Sequence, residues 1–156
     1  MTYSTPVLIS FLPLLITGCD PGYSYTPLDN SNAPVASWTT DIDDVNVRIP
    51  GFDILVGDGN MLQWITVTNN SKSDVVLLNG TLATKGISIS ADSPGEGELK
   101  WRTVPPGESQ EITCLFDFWS AGGSAGDILD QTILWEWEFQ INGKTRKLPV
   151  KMQRKP

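Results

Sequence analysis

The chain has 156 residues, a net charge of −7 and an apolar share of 40%. That is enough for one domain with its own core, so it needs neither disulfide staples nor a structural metal. The acidic balance argues against nucleic acid as a partner, and the lack of any histidine removes Ser-His-Asp and Cys-His catalysis, His-ligated zinc and the commonest general base.

Residues Val7 to Ile16 are apolar except for Ser10 and Pro13. Such a run suits the core of a secretory leader and is too short for a bilayer span, which needs roughly 20 residues. It leads into Leu14-Leu15-Ile16-Thr17-Gly18-Cys19, which resembles a bacterial lipobox, with small residues before a cysteine that would be lipidated after cleavage. Residues 1–18 are therefore expected to be a lipoprotein signal peptide and Cys19 the lipid attachment site. The leader departs from the usual pattern in having no Lys or Arg before Val7. Several acyl chains at roughly 0.8 kcal/mol per buried CH₂ would hold the chain to a membrane almost permanently. Asp20 after the cysteine favours the inner membrane in enterobacteria, but the rule varies, and inner versus outer membrane stays open.

Residues 19–44 contain Pro21, Gly22, Pro27 and Pro34 among many Ser, Thr, Asn and Asp. The composition predicts a flexible tether holding the domain away from the bilayer. Tyr23, Tyr25 and Trp38 are expected either on the domain or near headgroups.

Residues 45–156 read as β structure throughout. Nine runs carry the pattern: Val45–Ile49, Phe52–Val56, Met61–Thr68, Val75–Thr84, Ile87–Ala91, Leu99–Thr103, Gln110–Phe118, Gln131–Ile141 and Lys147–Met152. Turn clusters separate them. The expected fold class is all-β, an Ig-like β-sandwich of seven to nine antiparallel strands. Asn142-Gly143 is a two-residue type I′ hairpin signal, and it fixes a register. Trp137 should face Leu148, Trp135 Val150 and Ile133 Met152 on the core side; Glu138 should face Lys147 and Leu134 Lys151 on the other. Pro149 falls opposite Glu136, where its missing N–H points away from the partner strand, so the last strand should be at least partly an edge. The six basic residues from Lys144 onward then form a solvated edge-strand face, a reading favoured over an anion-binding patch.

Candidate chemistry is sparse. Cys114 is in phase with Ile112, Phe116 and Phe118, which makes it a core thiol and not a nucleophile; if Cys19 kept a free thiol, a Cys19–Cys114 bridge could form. Asp41, Asp43 and Asp44, and separately Asp53, Asp58 and Asn60, could offer oxygen ligands, but neither set has EF-hand spacing, and turn roles are favoured. Gly122-Gly123 lacks a following helix in this reading, so it is no phosphate loop. Trp119 is out of phase with the Cys114 face and opens the loop Ser120 to Gly126, which makes it a candidate ligand-binding aromatic; its alternative is capping the end of the sandwich.

The ordering of Thr66-Val67-Thr68-Asn69-Asn70-Ser71, then Val104-Pro105-Pro106-Gly107-Glu108, Phe116-Asp117-Phe118, Gly126 and Asn142-Gly143 resembles the Ig-like modules of the abnormal-spindle and Hydin type and their exported bacterial relatives. The resemblance covers about Asn46 to Met152 and implies a sandwich without a catalytic site. A Cys-Gly-Cys that those relatives often carry has no counterpart between Thr81 and Ser90. The expected function is a non-enzymatic interaction or structural module, with no cofactor or metal and with an envelope protein as partner. The alternative is a carbohydrate- or small-ligand-binding domain using Trp119, and the third reading is a hydrolase using carboxylates alone.

Overall fold

The computed structural model describes residues 22–92 and 102–156. Cys19 lies outside them, as does most of the run Leu99–Thr103. The described chain is nearly all β, and two antiparallel sheets pack face to face. In chain order the strands are β1 (Gly22–Pro27), β2 (Ser37–Ile42), β3 (Val45–Pro50), β4 (Phe52–Leu55), β5 (Asn60–Asn69), β6 (Val75–Thr84), β7 (Ile87–Ser90), β8 (Thr103–Val104), β9 (Ser109–Asp117), β10 (Thr132–Ile141) and β11 (Lys144–Arg154). One sheet runs β4-β1-β11-β10-β6-β7, with β8 also on β6; the other runs β2-β3-β5-β9.

Eight of the nine runs read from Val45 onward match β3 to β7 and β9 to β11; the other, Leu99–Thr103, lies mostly outside the described residues and meets β8 only at Thr103. The expected tether does not exist from Gly22 on. Its residues supply β1 and β2, which takes the count to eleven strands. β1 lies between β11 and β4, with Tyr25 opposite both Arg154 and Phe52. Tyr25 is buried and stacks on Phe52 at 4.9 Å between ring centroids. β2 pairs with β3 through Asp43-Asp44, both at positive φ (49° and 66°). This is a type I′ turn without the Asn-Gly pair that advertises one. The physical reason for the correction is that both strands borrow their partners. β1 completes backbone pairing for β4 and for β11, the latter more than 100 residues away, and its two aromatics then find a core that the segment could not build alone.

The hairpin between β10 and β11 has the expected register at every pair, from Ile141↔Lys144 to Thr132↔Gln153. Asn142 and Gly143 both have positive φ (50° and 72°), as a type I′ turn requires. Trp135, Trp137, Ile133, Leu148, Val150 and Met152 are all buried. Pro149 sits opposite Glu136. β1 covers β11 only at Met152, Gln153 and Arg154, and among the described residues no strand pairs with the outer side of Lys144–Val150. The half containing the proline is thus an edge. Lys147 reaches Glu136 at 2.6 Å on the solvated face, and Arg146 binds Asp43 at 2.6 Å across to the β2–β3 turn.

Phe116 from β9 joins the two sheets. It meets Trp135 edge-on at 4.6 Å and Trp137 at 6.2 Å, while the two indoles stack on each other at 5.1 Å. Gly80 on β6 lies opposite Trp137. A Cβ there would stand 2.7 Å from the indole Cζ3, so only glycine leaves room for the ring. Between Leu77 and Gly80 the pairing with β10 slips at a bulge, which restores inward phase to the second half of β6. Cys114 is buried, and burial pushes its thiol pKa up.

The opposite end of the sandwich is held by Asn69. Its Nδ2 donates to the carbonyls of Ser73 and Val104, each at 2.8 Å, and its Oδ1 accepts from the Ser71 amide and hydroxyl. Its backbone N–H donates to Glu108, and its carbonyl accepts from Gly107. The Asn69–Ser71 and Pro105–Glu108 segments are therefore one hydrogen-bonded clamp.

Removing that side chain takes a donor from the buried Val104 carbonyl and the acceptor from the buried Ser71 amide. Asn69→Ala is expected to lower stability by about 2–4 kcal/mol, read as a fall in urea midpoint at unchanged slope. Tyr25 supplies a pH test. Its hydroxyl donates to the Asp130 carbonyl, and burial, partly opposed by Arg154, pushes its pKa from 10.0 up to about 12. The unfolded chain ionises first, so this contribution is complete below pH 10 and is lost as pH rises toward 12, at about 1.4 kcal/mol per unit. Tyr25→Phe should remove that part of the alkaline slope in denaturation series run from pH 9 to 12.

Candidate interaction surface

β5 carries a local inversion. Met61, Ile65 and Val67 face inward and are buried, which sets the phase of the strand. Gln63 falls on that same inward face and is only 1% exposed, whereas Trp64 is turned outward and is 47% exposed. The buried amide is satisfied locally, with Nε2 donating to the Trp64 carbonyl at 3.0 Å and, weakly, to Pro50 at 3.5 Å. A glutamine inside and a tryptophan outside reverse the ordinary preference of each. Two positions along the same outer face is Leu62, 56% exposed, directly opposite Leu115 of β9. Trp64 lies opposite Thr113, and the next pair is Thr66 with Glu111. The outer face of the four-stranded sheet therefore presents Leu62, Trp64 and the half-buried Leu115 together, rimmed by Glu111 and, from β3, Arg48 opposite Thr66. Sequence reasoning placed Trp64 within a strand but did not turn it outward. Apolar residues occupy both phases of Met61–Val67, so the local pattern carried no signal for which face is buried.

Trp119, the candidate named from sequence, stands at the end of that sheet. The amides of Phe118 and Trp119 both donate to the Gly59 carbonyl, at 2.7 and 3.3 Å. Phe118 turns into the core, and Trp119 turns out, 59% exposed. Its indole rests where a side chain on residue 59 would be: a Cβ on Gly59 would fall 1.4 Å from the indole Nε1. The loop that follows is not loose. Ala125 and Gly126 donate to the carbonyls of Asp58 and Val56 at 2.7 and 2.8 Å.

A helix does follow Gly122-Gly123, contrary to the sequence reading. It is the single turn α1 (Ala125–Ile128). Its amino end is already closed by Asp127, whose Oδ2 accepts from the Ser124 amide and hydroxyl at 2.9 and 2.7 Å. Those two donors hold the Asp127 carboxyl below its usual pKa range. The conclusion against a phosphate loop stands on this occupied terminus.

The acidic sets are dispersed over strands and turns, with Asp41 in β2 and Asp53 in β4. Asp41 accepts from the Asn46 amide at 2.9 Å, Asp43 binds Arg146, and Asp58 accepts from the Leu55 amide at 3.1 Å. Among the described residues no three carboxylate or thiol groups come together as metal ligands.

The packing of Trp119 gives a direct expectation. Gly59 does not have a left-handed φ, so the demand for glycine there is spatial. Gly59→Ala should drive the indole off its seat at a cost of about 1 kcal/mol, seen as a red shift and greater acrylamide quenching of the Trp119 emission.

No family model matches the chain, and no curated protein does. Among solved structures it is similar to a protein from Archaeoglobus fulgidus, at 11% identity and a TM-score of 0.34, over 76% of this chain and 91% of that one. A likeness at that level carries no argument about fold or function.

Proposed function

We propose that the chain is a bacterial envelope protein held to a membrane by lipid on Cys19, and that its β-sandwich is a non-enzymatic interaction module for a protein partner. The observation that carries the reading is the inversion at Gln63 and Trp64. Burying an amide while exposing an indole, beside an exposed Leu62, is a departure from local preference of the kind found at functional surfaces. A contiguous apolar group with a charged rim fits a partner interface. The chemistry of the domain agrees with binding: its thiol is buried with a raised pKa, and its candidate acidic sets are dispersed over strands and turns. The second reading, a glycan-binding site, draws support from Trp119, an exposed indole held in a fixed position by Gly59.

The test places a photo-cross-linking residue at Leu62 in cells, with a control at Lys72 in the distant Asn69–Asp74 turn. The expected result is a discrete protein adduct from position 62 and none from 72. Its yield should fall about fivefold or more in Trp64→Asp, a mid-strand change expected to cost about 1 kcal/mol in stability and to leave the domain folded. No adduct from position 62, or one indifferent to Trp64→Asp, would sink the protein-partner reading. Glycan binding abolished by Trp119→Ala alone would replace it with the second.

A further inference from the structure

The chain enters the sandwich at Gly22, and only Asp20 and Pro21 separate that residue from Cys19. Three residues reach at most about 11 Å even fully extended. The headgroup layer on one side of a bilayer is roughly 5–8 Å thick. A lipid on Cys19 therefore leaves no slack to lift the domain off the membrane, and the end of the sandwich around Gly22 has to meet the headgroups.

What lies at that end suits such contact. Gly22 pairs with Leu55 of β4, which is 51% exposed. Beside it, a cleft of about 470 Å³ is lined by Gly22, Tyr23, Arg154 and Lys155, among others. The Arg154 guanidinium lies 4.2 Å from the centre of the Tyr23 ring, and the Lys155 amide donates to Ser24 at 2.7 Å. The Val56–Gly59 connection then carries the chain across to the start of β5, where Gly59 seats Trp119. The β6–β7 turn brings Lys85 to the same end, since Thr84 Oγ1 donates to the Ile128 carbonyl at 3.4 Å. Tryptophan, tyrosine and long cationic side chains are the residues that settle at a membrane–water interface.

We infer that this end of the sandwich, with Trp119, Tyr23, Leu55, Arg154 and Lys155, is a membrane-facing surface seated in the headgroup layer of the bilayer that anchors Cys19. The inference rests on the reading of Cys19 as the lipid site. Asp53, Asp58, Asp117, Asp127 and Asp130 lie at the same end, so the seat is not a cationic patch. Covalent reach and the exposed aromatic and aliphatic groups hold it, and anionic lipid is not required. The surface is separate from Leu62 and Trp64, which project from the side of the sheet and stay free for a partner.

The experiment uses the full-length protein isolated from membranes and reconstituted into phosphatidylcholine vesicles, with and without brominated acyl chains. Intact mass comes first. Absence of acyl groups on Cys19 overturns the anchor reading and the seating with it. With acylation present, the share of emission lost in Trp119→Phe should be quenched about twofold or more by brominated lipid, and the share lost in Trp64→Phe should barely change. A water-soluble amine reagent gives a second measure on the unmutated protein: Lys85 and Lys155 should react about threefold more slowly in vesicles than in detergent, while Lys72 at the opposite end keeps its rate. Equal behaviour of Trp119 and Trp64, or of Lys155 and Lys72, in acylated protein overturns the seating and leaves the anchor intact.

Discussion

Phe116 wedged against the stacked indoles of Trp135 and Trp137 is the contact on which the rest of the molecule depends. It is where the four-stranded sheet meets the seven-stranded one. Each indole buries about 150–250 Å², worth roughly 4–6 kcal/mol at about 25 cal/mol per Å². Among the described residues neither buried indole N–H has an acceptor, a cost of about 1–3 kcal/mol each. Area wins, which is why the core tolerates two polar atoms it does not satisfy. The same rings impose conditions on their neighbours. Gly80 must lack a side chain, and Phe52 must stand edge-on to Trp135 at 5.9 Å so that Tyr25 can stack behind it.

Through that last contact the core reaches the entry of the chain. Tyr25 is the link between the aromatic cluster and β1. It converts a proline- and serine-rich segment into the strand that joins β4 to β11. The functional consequence is geometric. A segment whose composition suggested a leash is taken up by the sheet from Gly22 on. The other sheet is built more simply, and its outer side is where the polar and apolar positions of β5 are exchanged.

β11 presents a strand edge and the β5–β9 pair presents a sheet face, and the two are managed differently. Among the described residues nothing pairs with the outer side of Lys144–Val150 in β11, but Pro149 withholds a donor there and lysines line its solvated face, both of which discourage strand addition by other chains. The outer face of β5 and β9 has no such protection at Leu62 and Trp64. Binding through side chains on a sheet face thus fits this molecule better than binding through backbone at an edge.

Wherever the pattern was local, the amino-acid sequence determined the result. The β10–β11 register followed from Asn142-Gly143 and the alternation of Ile133, Trp135 and Trp137, because turn chemistry and binary pattern act within a few residues of each other. Eight of the strands from Val45 and the burial of Cys114 were legible for the same reason, and Trp119 falls just past β9 on the outward phase of the alternation that buries Cys114. Tertiary structure alone decided the rest. β1 and β2 are strands only because β4, β11 and β3 offer them partners, and the Tyr25 hydroxyl finds its acceptor 105 residues away. In Met61–Val67 apolar residues occupy both phases, so the sequence leaves either face free to be the core; the facing sheet chose Ile65 and Val67, and that choice put Gln63 inside and Trp64 in solvent. A short-range pattern can specify a strand and its turn, but which of two apolar faces is buried depends on what packs against it, and that is a property of the assembled sandwich.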